Sequence, residues 1–197
     1  YLKKIQYLYD LGVKTVVIMD SAGVFLPNDI SSIIKNIKKK FNIKLGFHGH
    51  NNFGSAVWNS IVAFESGADI IDLSIKGFGA GAGNTQMDVF LTVLDRLGYK
   101  NKIKLDKIYK IAKKFPTILK KEKIIYSNPF SEPKNIMSAN YGLFSGFASK
   151  VDYYSNKFKL DDVESFKAIG KKRLVAGQED LIFNVLFNLK NNSKISR

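Results

Sequence analysis

The sequence predicts an α/β fold in which parallel strands alternate with helices and are followed by a small helical C-terminal domain. Two observations support this prediction. Short apolar runs alternate with amphipathic stretches through residues 1–97, and this alternation is typical of βα units around a parallel sheet. From residue 135 onward the spacing of apolar residues is helical, without strong strand patterns. We therefore predict a division between residues 1–115 and residues 116–197.

Three short apolar runs are predicted to be strands. They cover residues 15–19, 43–47 and 70–75 and are rich in β-branched and aromatic residues. Runs of this length and composition are typical of parallel strands that are buried on both faces. A polar or glycine-containing loop follows each of them.

Helices are predicted between and after these strands. Apolar residues recur at i, i+3 and i+4 spacing in residues 27–41 and 54–66. Pro27 fits the first turn of its helix, and Asn84 is a candidate cap for a further helix over residues 85–97. The C-terminal part contains more predicted helices, over residues 135–149, 163–174 and 180–189. Between the two parts lies a stretch that holds three of the four prolines, Pro116, Pro129 and Pro133.

Three βα units are too few to close a (β/α)8 barrel, which typically needs about 250 residues. The first part of the chain therefore fits either a segment of such a barrel or a smaller open sheet. The chain begins at Tyr1 in a stretch that is typical of the middle of a helix, without Met and without a signal peptide. This beginning predicts that the chain is part of a longer polypeptide.

The composition excludes several classes of function. The chain has no cysteine, which excludes disulfides, thiolate zinc sites and cysteine nucleophiles. Its net charge of +14 comes almost entirely from scattered lysines, whereas nucleic-acid surfaces usually combine arginine with aromatic residues along one face. No run approaches the roughly 18 apolar residues of a membrane span. We therefore expect a cytoplasmic protein without a nucleic-acid or membrane partner.

Polar or glycine-rich segments follow all three predicted strands. Asp20 and Ser21 follow the first, His48-Gly49-His50 ends the second, and a glycine-rich loop over residues 77–84 follows the third. Because the carboxyl ends of parallel strands build the active site of a barrel, we expect these segments to lie together.

The two histidines, His48 and His50, are the only ones in the chain and are candidate metal ligands. Residues i and i+2 of a strand point to the same face, and the small Gly49 leaves room for both imidazoles to reach one ion. Nitrogen ligands suit Mn, Fe, Co or Zn. The alternative is that two polar residues simply end a strand. Since two ligands are too few for a catalytic metal, a carboxylate is expected from elsewhere.

The glycine-rich loop has glycines at positions 77, 79, 81 and 83. Glycine allows backbone N–H groups to approach an anionic substrate, and we therefore predict that Gly79, Gly81 and Gly83 bind substrate. The spacing is neither that of a P-loop nor that of a dinucleotide fingerprint. A flexible connection is the alternative for this loop, and an ordinary turn is the alternative for Asp20 and Ser21.

Together these segments resemble the 4-hydroxy-2-oxovalerate aldolase family of metal-dependent TIM-barrel enzymes, which is related to 3-hydroxy-3-methylglutaryl-CoA lyase and isopropylmalate synthase. The resemblance covers nearly the whole chain. It rests on stretches at residues 20–23, 46–52, 56–60, 67–69, 77–86 and 177–180. The cysteine loop of the lyase is absent, because the chain has no cysteine.

The resemblance implies that the three strands are the sixth to eighth of a TIM barrel, whose C-terminal part this chain would form. It implies that His48 and His50 bind a divalent metal, normally Mn2+, with Mg2+, Co2+ or Zn2+ as alternatives. Asn84 lies where some relatives place a ligand, and Ser21 would line the pyruvyl pocket. Tyr141 is a candidate catalytic tyrosine of the C-terminal domain, although Phe144 stands at the tyrosine position of the matching run.

The implied reaction is cleavage of a 4-hydroxy-2-oxo acid to pyruvate and an aldehyde, or its reverse. In relatives an acylating aldehyde dehydrogenase docks on the C-terminal domain and receives the aldehyde; we also expect a homo-oligomer. The family's third ligand (an Asp), a neighbouring Arg and the catalytic His come from earlier strands, and no Arg-Asp pair occurs here. This chain would therefore carry only part of an active site. The alternatives are an acyl-CoA-using Claisen-type synthase or lyase, and an inactive interaction domain.

Overall fold

The structure, a computed structural model, describes residues 1–100, 102–124 and 132–195. Strands and helices alternate in the first part, in the order α1 (Leu2–Asp10), β1 (Thr15–Asp20), α2 (Pro27–Lys40), β2 (Lys44–Gly49), α3 (Ala56–Glu65), β3 (Ile70–Ile71), α4 (Met87–Arg96) and α5 (Leu105–Lys121). The C-terminal part is helical, with α6 (Pro133–Asn140), α7 (Ala148–Phe158), α8 (Asp162–Lys172) and α9 (Asp180–Ile195). Short 3-10 helices precede α4 and α7, at Ile75–Gly77 and Ser145–Phe147.

The three strands form one parallel sheet in the order β1-β2-β3, which confirms the predicted α/β class. β1 and β2 pair along their whole length, in a register that places Asp20 opposite Gly49. Both strands therefore end at the same edge of the sheet, as the sequence predicted for the polar segments.

The third strand is shorter than the predicted run of residues 70–75, because only Ile70 and Ile71 pair with β2. Asp72 N–H still donates to Phe47 O of β2 at 3.0 Å, but from Ser74 onward the chain bonds to the returning segment. The backbone N–H of Ser74 donates to the carbonyl of Thr85 at 3.1 Å. The prediction of a six-residue strand is therefore wrong in length, because Ser74 pairs with the chain that returns from the glycine-rich loop and not with β2.

One face of the sheet is covered by helices and the other is open. The covered face packs on α1, α2 and α3 through a core that includes Val16, Ile18, Leu45, Phe47 and Ile71. On the open face, Val17, Met19 and Ile70 are 39%, 57% and 37% exposed, and strand alternation places His48 on the same face. Within the described part of the chain, β1 has helices on one face only. The prediction of burial on both faces is therefore wrong for β1.

Helices α2 and α3 lie where the sequence predicted them. At the start of α2 the backbone N–H of Leu26 donates to the Asp29 carboxylate at 3.0 Å, and Pro27 occupies the first turn. The helix turns its isoleucines toward the sheet, where Ile30, Ile34 and Ile37 are fully buried. Their i, i+4, i+7 spacing is the signal from which the helix was predicted.

Helix α4 begins at Met87, so the prediction that Asn84 caps a helix from residue 85 is wrong. The backbone of residues 84 and 85 is used differently. Asn84 N–H donates to Gly77 O at 2.8 Å and Thr85 N–H donates to Gly49 O at 3.1 Å. These bonds fasten the glycine-rich loop to itself and to the end of β2, and the helix starts only after them.

The predicted helix over residues 135–149 is wrong as a single element. α6 ends at Asn140, and Gly142 adopts a left-handed backbone with φ +68°, so that the chain turns before α7. Helices at residues 163–174 and 180–189 are confirmed as α8 and α9. These C-terminal helices enclose a core of their own, which includes Phe147, Val151, Phe166, Ile169, Ile182 and Leu186.

Helix α5 crosses the predicted division between residues 115 and 116 and holds Pro116 within it. Pro133 stands at the start of α6, and Pro129 lies outside the described residues. The division at 115/116 itself stays a prediction. None of the helices in the ranges that the structure describes is long and apolar enough to cross a membrane.

Candidate functional site

The carboxyl ends of β1 and β2 meet the glycine-rich loop at one edge of the sheet. Asp20 ends β1 and is 2% exposed, and its carboxylate accepts hydrogen bonds at 3.0 Å from the backbone N–H groups of Val24 and Phe25. Burial raises the pKa of Asp20, against the opposing effect of these and one further backbone hydrogen bond, from Gly23. The carboxylate thus stabilises its own loop, which is the ordinary turn that the sequence left open as an alternative.

The two histidines lie side by side at the end of β2, as predicted. Their ring centroids are 5.1 Å apart, at an interplanar angle of 66°. The Nδ1 atom of His48 lies 3.3 Å from Oδ2 of Asp72. An ionised carboxylate can only accept a hydrogen bond, so in a neutral ring this contact favours the tautomer with the proton on Nδ1 and the lone pair on Nε2. A histidine that binds a metal commonly shows this arrangement.

His50 is more enclosed than His48 and is only 6% exposed. Its Nδ1 atom lies 3.0 Å from the hydroxyl of Ser145. Burial, with a smaller contribution from the charge of His48, lowers the pKa of His50 to about 4, although hydrogen bonds with the backbone of Ala80 and Gly83 act in the opposite direction. At neutral pH the imidazole of His50 therefore carries no charge, which is the state that a metal requires of a histidine ligand.

Asn84 adjoins His50 through an antiparallel bridge between the two residues. Its side-chain N–H donates to Phe78 O at 3.3 Å. Its Oδ1 atom is buried and has no hydrogen-bond partner within the described part of the chain. An orphaned carbonyl oxygen on a residue bridged to His50 suits a divalent cation, because Mn2+ accepts both nitrogen and oxygen ligands.

His48, His50 and the Asn84 oxygen are the candidate metal ligands among the described residues. The described residues contain no group of three His, Cys, Asp or Glu side chains placed to hold a metal ion. A set of His48, His50 and the Asn84 oxygen therefore fits a metal that takes at least one further ligand from residues other than those described. The carboxylate ligand expected from elsewhere stays a prediction.

The glycine-rich loop is closed by its own hydrogen bonds. Gly83 N–H donates to Ala80 O at 3.0 Å, and a side chain at residue 83 would overlap the carbonyl of Gly77. Gly83 thus shapes the loop, and its N–H is already used. Gly79 lies against the amide of Asn84. Substrate binding by Gly79, Gly81 and Gly83 stays a prediction.

Two asparagines directly follow the histidines, and their side chains bond to neighbouring segments of the chain. Asn51 bonds to the start of α3, and Asn52 bonds to the glycine-rich loop. The Asn51 oxygen accepts from Ala56 N–H at 3.1 Å and so fastens the start of α3. The Asn52 oxygen accepts from Ala82 N–H at 3.1 Å, while its Nδ2 group is buried without a partner in the described ranges. The sequence signalled these residues only by their position after His50.

The C-terminal part of the chain reaches the site through Phe144 and Ser145, neither of which was predicted as a site residue. The Phe144 ring stands edge-on to His50, with centroids 6.2 Å apart, and Ser145 N–H donates to Ser21 O at 3.0 Å. Ser21 is half-buried and adjoins Ser145, while its predicted contact with substrate stays a prediction. The pattern around residues 140–147 did mark this region as unusual, but sequence left its register open.

Tyr141, the predicted catalytic residue, lies elsewhere. It packs against the C-terminal helical core, where its backbone and Cβ adjoin Gly170. Among the described residues no hydrogen bond or ring contact joins Tyr141 to either histidine. Its catalytic assignment stays a prediction, whereas Phe144 makes the aromatic contact with His50.

Two family models match different parts of the chain. The HMGL-like family matches residues 2–114, and the DmpG-like communication domain matches residues 129–191. The chain also resembles the carboxyl transferase domain of Rhizobium etli pyruvate carboxylase, with a TM-score of 0.78 and 14% identity over 94% of this chain and 33% of that one. At this identity the likeness concerns the fold alone.

Two relatives are similar over most of the chain. A 4-hydroxy-2-oxovalerate aldolase from Pectobacterium atrosepticum is 39% identical over 99% of this chain and 55% of its own length. One from Spirochaeta aurantia is 41% identical over 91% of this chain and 51% of its own length. The chain thus spans about half the length of the curated relatives it matches.

Proposed function

This chain belongs to the HMGL-like family, and we propose that it forms the metal-binding part of an aldolase that cleaves a 4-hydroxy-2-oxo acid to pyruvate and an aldehyde. The relatives named above carry the aldolase name. The observation that supports the metal site is the pair His48 and His50, whose Nδ1 atoms are both engaged by other side chains. The Nε2 atoms of the two rings are proposed to bind the cation.

The residues of this chain would bind and orient the substrate around that cation. His48, His50 and Asn84 would hold a divalent ion, which would supply Lewis-acid chemistry at the 2-oxo group. Mn2+ is the first choice, with Mg2+, Co2+ or Zn2+ as alternatives. Ser21, Gly79 and Gly81 are proposed to contact the pyruvyl part of the substrate. Ser21 and Gly81 both adjoin Ser145, the residue whose hydroxyl contacts His50.

The rest of the active site is proposed to come from upstream strands of a (β/α)8 barrel. The open face of the sheet supports this proposal, since Val17, Met19 and Ile70 are exposed there next to His48. Strands that covered this face would bury the apolar side chains and bring a carboxylate ligand and a catalytic base to the histidines. The 197 residues alone are expected to be inactive.

The C-terminal helices are proposed to dock an acylating aldehyde dehydrogenase that receives the aldehyde. The match to a DmpG-like communication domain supports this proposal. The separate core of these helices gives such a docking module its own stability. Homo-oligomer formation stays a prediction.

The metal assignment is tested with His48→Ala in the complete polypeptide that carries these residues. We expect bound Mn2+, measured by elemental analysis after gel filtration, to fall by at least about tenfold. Pyruvate release from a 4-hydroxy-2-oxo acid should fall with it. Lys44→Ala is the control, because Lys44 is an exposed residue of the same strand and holds no metal-ligand position.

Unchanged metal content in His48→Ala would refute the metal assignment. The alternative functions give other results with the unaltered protein. Release of free CoA from an acyl-CoA and a 2-oxo acid, without aldol cleavage, would indicate a Claisen-type enzyme. Metal-free protein without either activity would indicate an interaction domain.

A further inference from the structure

The C-terminal part of the chain touches the histidine pair at one buried point. The hydroxyl of Ser145 lies 3.0 Å from Nδ1 of His50, and the two residues are 1% and 6% exposed. A hydrogen bond between buried groups is shielded from exchange with water, so it holds both partners in place. Ser145 belongs to the 3-10 helix Ser145–Phe147, which stands between the turn after α6 and the start of α7.

The position of Ser145 does not depend on this hydroxyl. Its backbone N–H donates to the Ser21 carbonyl at 3.0 Å. Its Cβ lies so close to Gly81 that a methyl group added at residue 81 would come within 2.7 Å of it. The preceding Phe144 also packs edge-on against His50 and against Phe147. The turn is therefore docked by its backbone and by Phe144, and among the described residues the hydroxyl contacts His50.

We infer that Ser145 is a positioning residue for His50, whose Nδ1–H it accepts, so that the ring keeps its Nε2 lone pair for the metal ion. This inference rests on the proposed function. A neutral imidazole has one N–H and one lone pair, and the hydrogen bond at one nitrogen decides which atom is which. His48 has the same arrangement through Asp72, whose carboxylate can only accept. Both rings then present Nε2.

A helical segment distant in sequence thereby takes part in the metal site without supplying a ligand. Ser145 and His50 are 95 positions apart; Ser145 lies between Phe144 and Phe147 of the helical core, and His50 directly follows β2. Metal affinity is consequently linked to the docking of the C-terminal helices on the strand ends. Partners of this kind typically change metal affinity by about 10- to 100-fold when they are removed.

The test compares Ser145→Ala with Ser138→Ala in the complete polypeptide. Ser138 is a fully buried serine of α6, and its hydroxyl has no hydrogen-bond partner in the described part of the chain. Two quantities are measured: the 15N chemical shifts of the His50 ring in metal-free protein, and the dissociation constant for Mn2+ from the electron paramagnetic resonance of free Mn2+. The His50 signals are assigned by their loss in His50→Asn.

In Ser145→Ala we expect the ring nitrogens to change from the Nδ1–H tautomer to a mixture, and the dissociation constant to rise about 10- to 100-fold. Ser138→Ala should leave both quantities unchanged. Thermal unfolding of the metal-free variants checks that each is folded.

An unchanged tautomer in folded Ser145→Ala would overturn the inference, and so would wild-type Mn2+ affinity in that variant. Equal weakening in Ser138→Ala would also overturn it, because the effect would then be general to the helical part. Failure of the unaltered protein to bind Mn2+ is a different result. It refutes the proposed metal function, and it overturns the metal-directed role of Ser145 with it.

Discussion

The two faces of the sheet have the same kinds of residue and opposite surroundings. On the covered face Leu45 and Phe47 are completely buried beneath α1, α2 and α3, whereas on the open face Met19 and Val17 are 57% and 39% exposed. The covered face is lined mainly by apolar side chains. The open face carries His48, and the chemistry of the candidate site is at its edge.

The packing of one face on helices stabilises the sheet. The other face leaves apolar side chains exposed beside His48. Apolar residues that cluster on an exposed face usually mark a surface that binds another segment or molecule. For this chain we propose upstream barrel strands as that cover. The predictions below test the contrast between the two faces and the contacts at their edges.

The largest expected effect is on the covered face. Leu45→Ala should lower the free energy of unfolding by about 2–5 kcal/mol, because it leaves a cavity in a closed core. Met19→Ala, a change of similar size on the open face, should cost less than about 1 kcal/mol in the 197-residue chain. Urea unfolding followed by circular dichroism measures both.

The same pair of variants sharpens the barrel proposal in the complete polypeptide. If upstream strands cover the open face, the cost of Met19→Ala should rise into the range of about 2–5 kcal/mol that core truncations show. A cost that stays small there would contradict the proposed cover, while the Leu45→Ala value serves as the internal reference.

A smaller effect is expected where the helical part meets the site. Gly81 has φ +63°, and a side chain there would also press on Ser145 and on the Asn52 oxygen. Gly81→Ala should therefore cost about 1–3 kcal/mol. Gly98→Ala is the matched control, because Gly98 has φ +84° with no atom near its added Cβ. Equal costs in the two variants would show that contact with Ser145 contributes nothing.

The smallest expected effect is a pH dependence at the edge of the covered face. The Asp69 carboxylate accepts from Lys38 Nζ at 2.8 Å and from Leu45 N–H at 2.7 Å, and the lysine hydrogen bond, followed by that of Leu45, lowers its pKa. The stabilisation is complete above the unfolded pKa of about 3.9 and is lost as pH falls through the lower folded value. Because the pair is exposed, it contributes less than about 1 kcal/mol.

This pH dependence is measured as the free energy of unfolding at pH 5.5 and at successively lower pH. Asp69→Asn should remove the contribution of this carboxylate to the acid-induced loss. Lys38→Met should remove most of it, because the lysine is the largest cause of the shift. The same pH profile in all three proteins would contradict the assignment.

Much of the fold follows from local patterns. The isoleucines of α2 recur at helical spacing, and α2 forms where they predict it. The alternation of apolar runs with helices predicted that the strands run parallel to one another. The predicted element bounds are wrong where backbone groups bond to segments distant from the local pattern. β3 ends early because Ser74 bonds to Thr85. α4 begins late because Asn84 and Thr85 bond to Gly77 and Gly49.

Part of the candidate site was also predictable. The period of two along a strand places His48 and His50 together, and their rings are indeed neighbours. Asn84 was named as a candidate ligand and is adjacent to His50. Ser145 was not, because a serine in a helical region has no local feature that distinguishes it from other serines.

The sequence by itself determined the class of fold, the alternation of strands and helices, and the pairing of two imidazoles at a strand end, because each depends on residues a few positions apart. Only the tertiary structure decided which face of the sheet is covered and that Phe144 and Ser145 adjoin His50 while Tyr141 packs in the helical core. These outcomes depend on the packing of separate helices, and spacing along the chain carries no record of that packing.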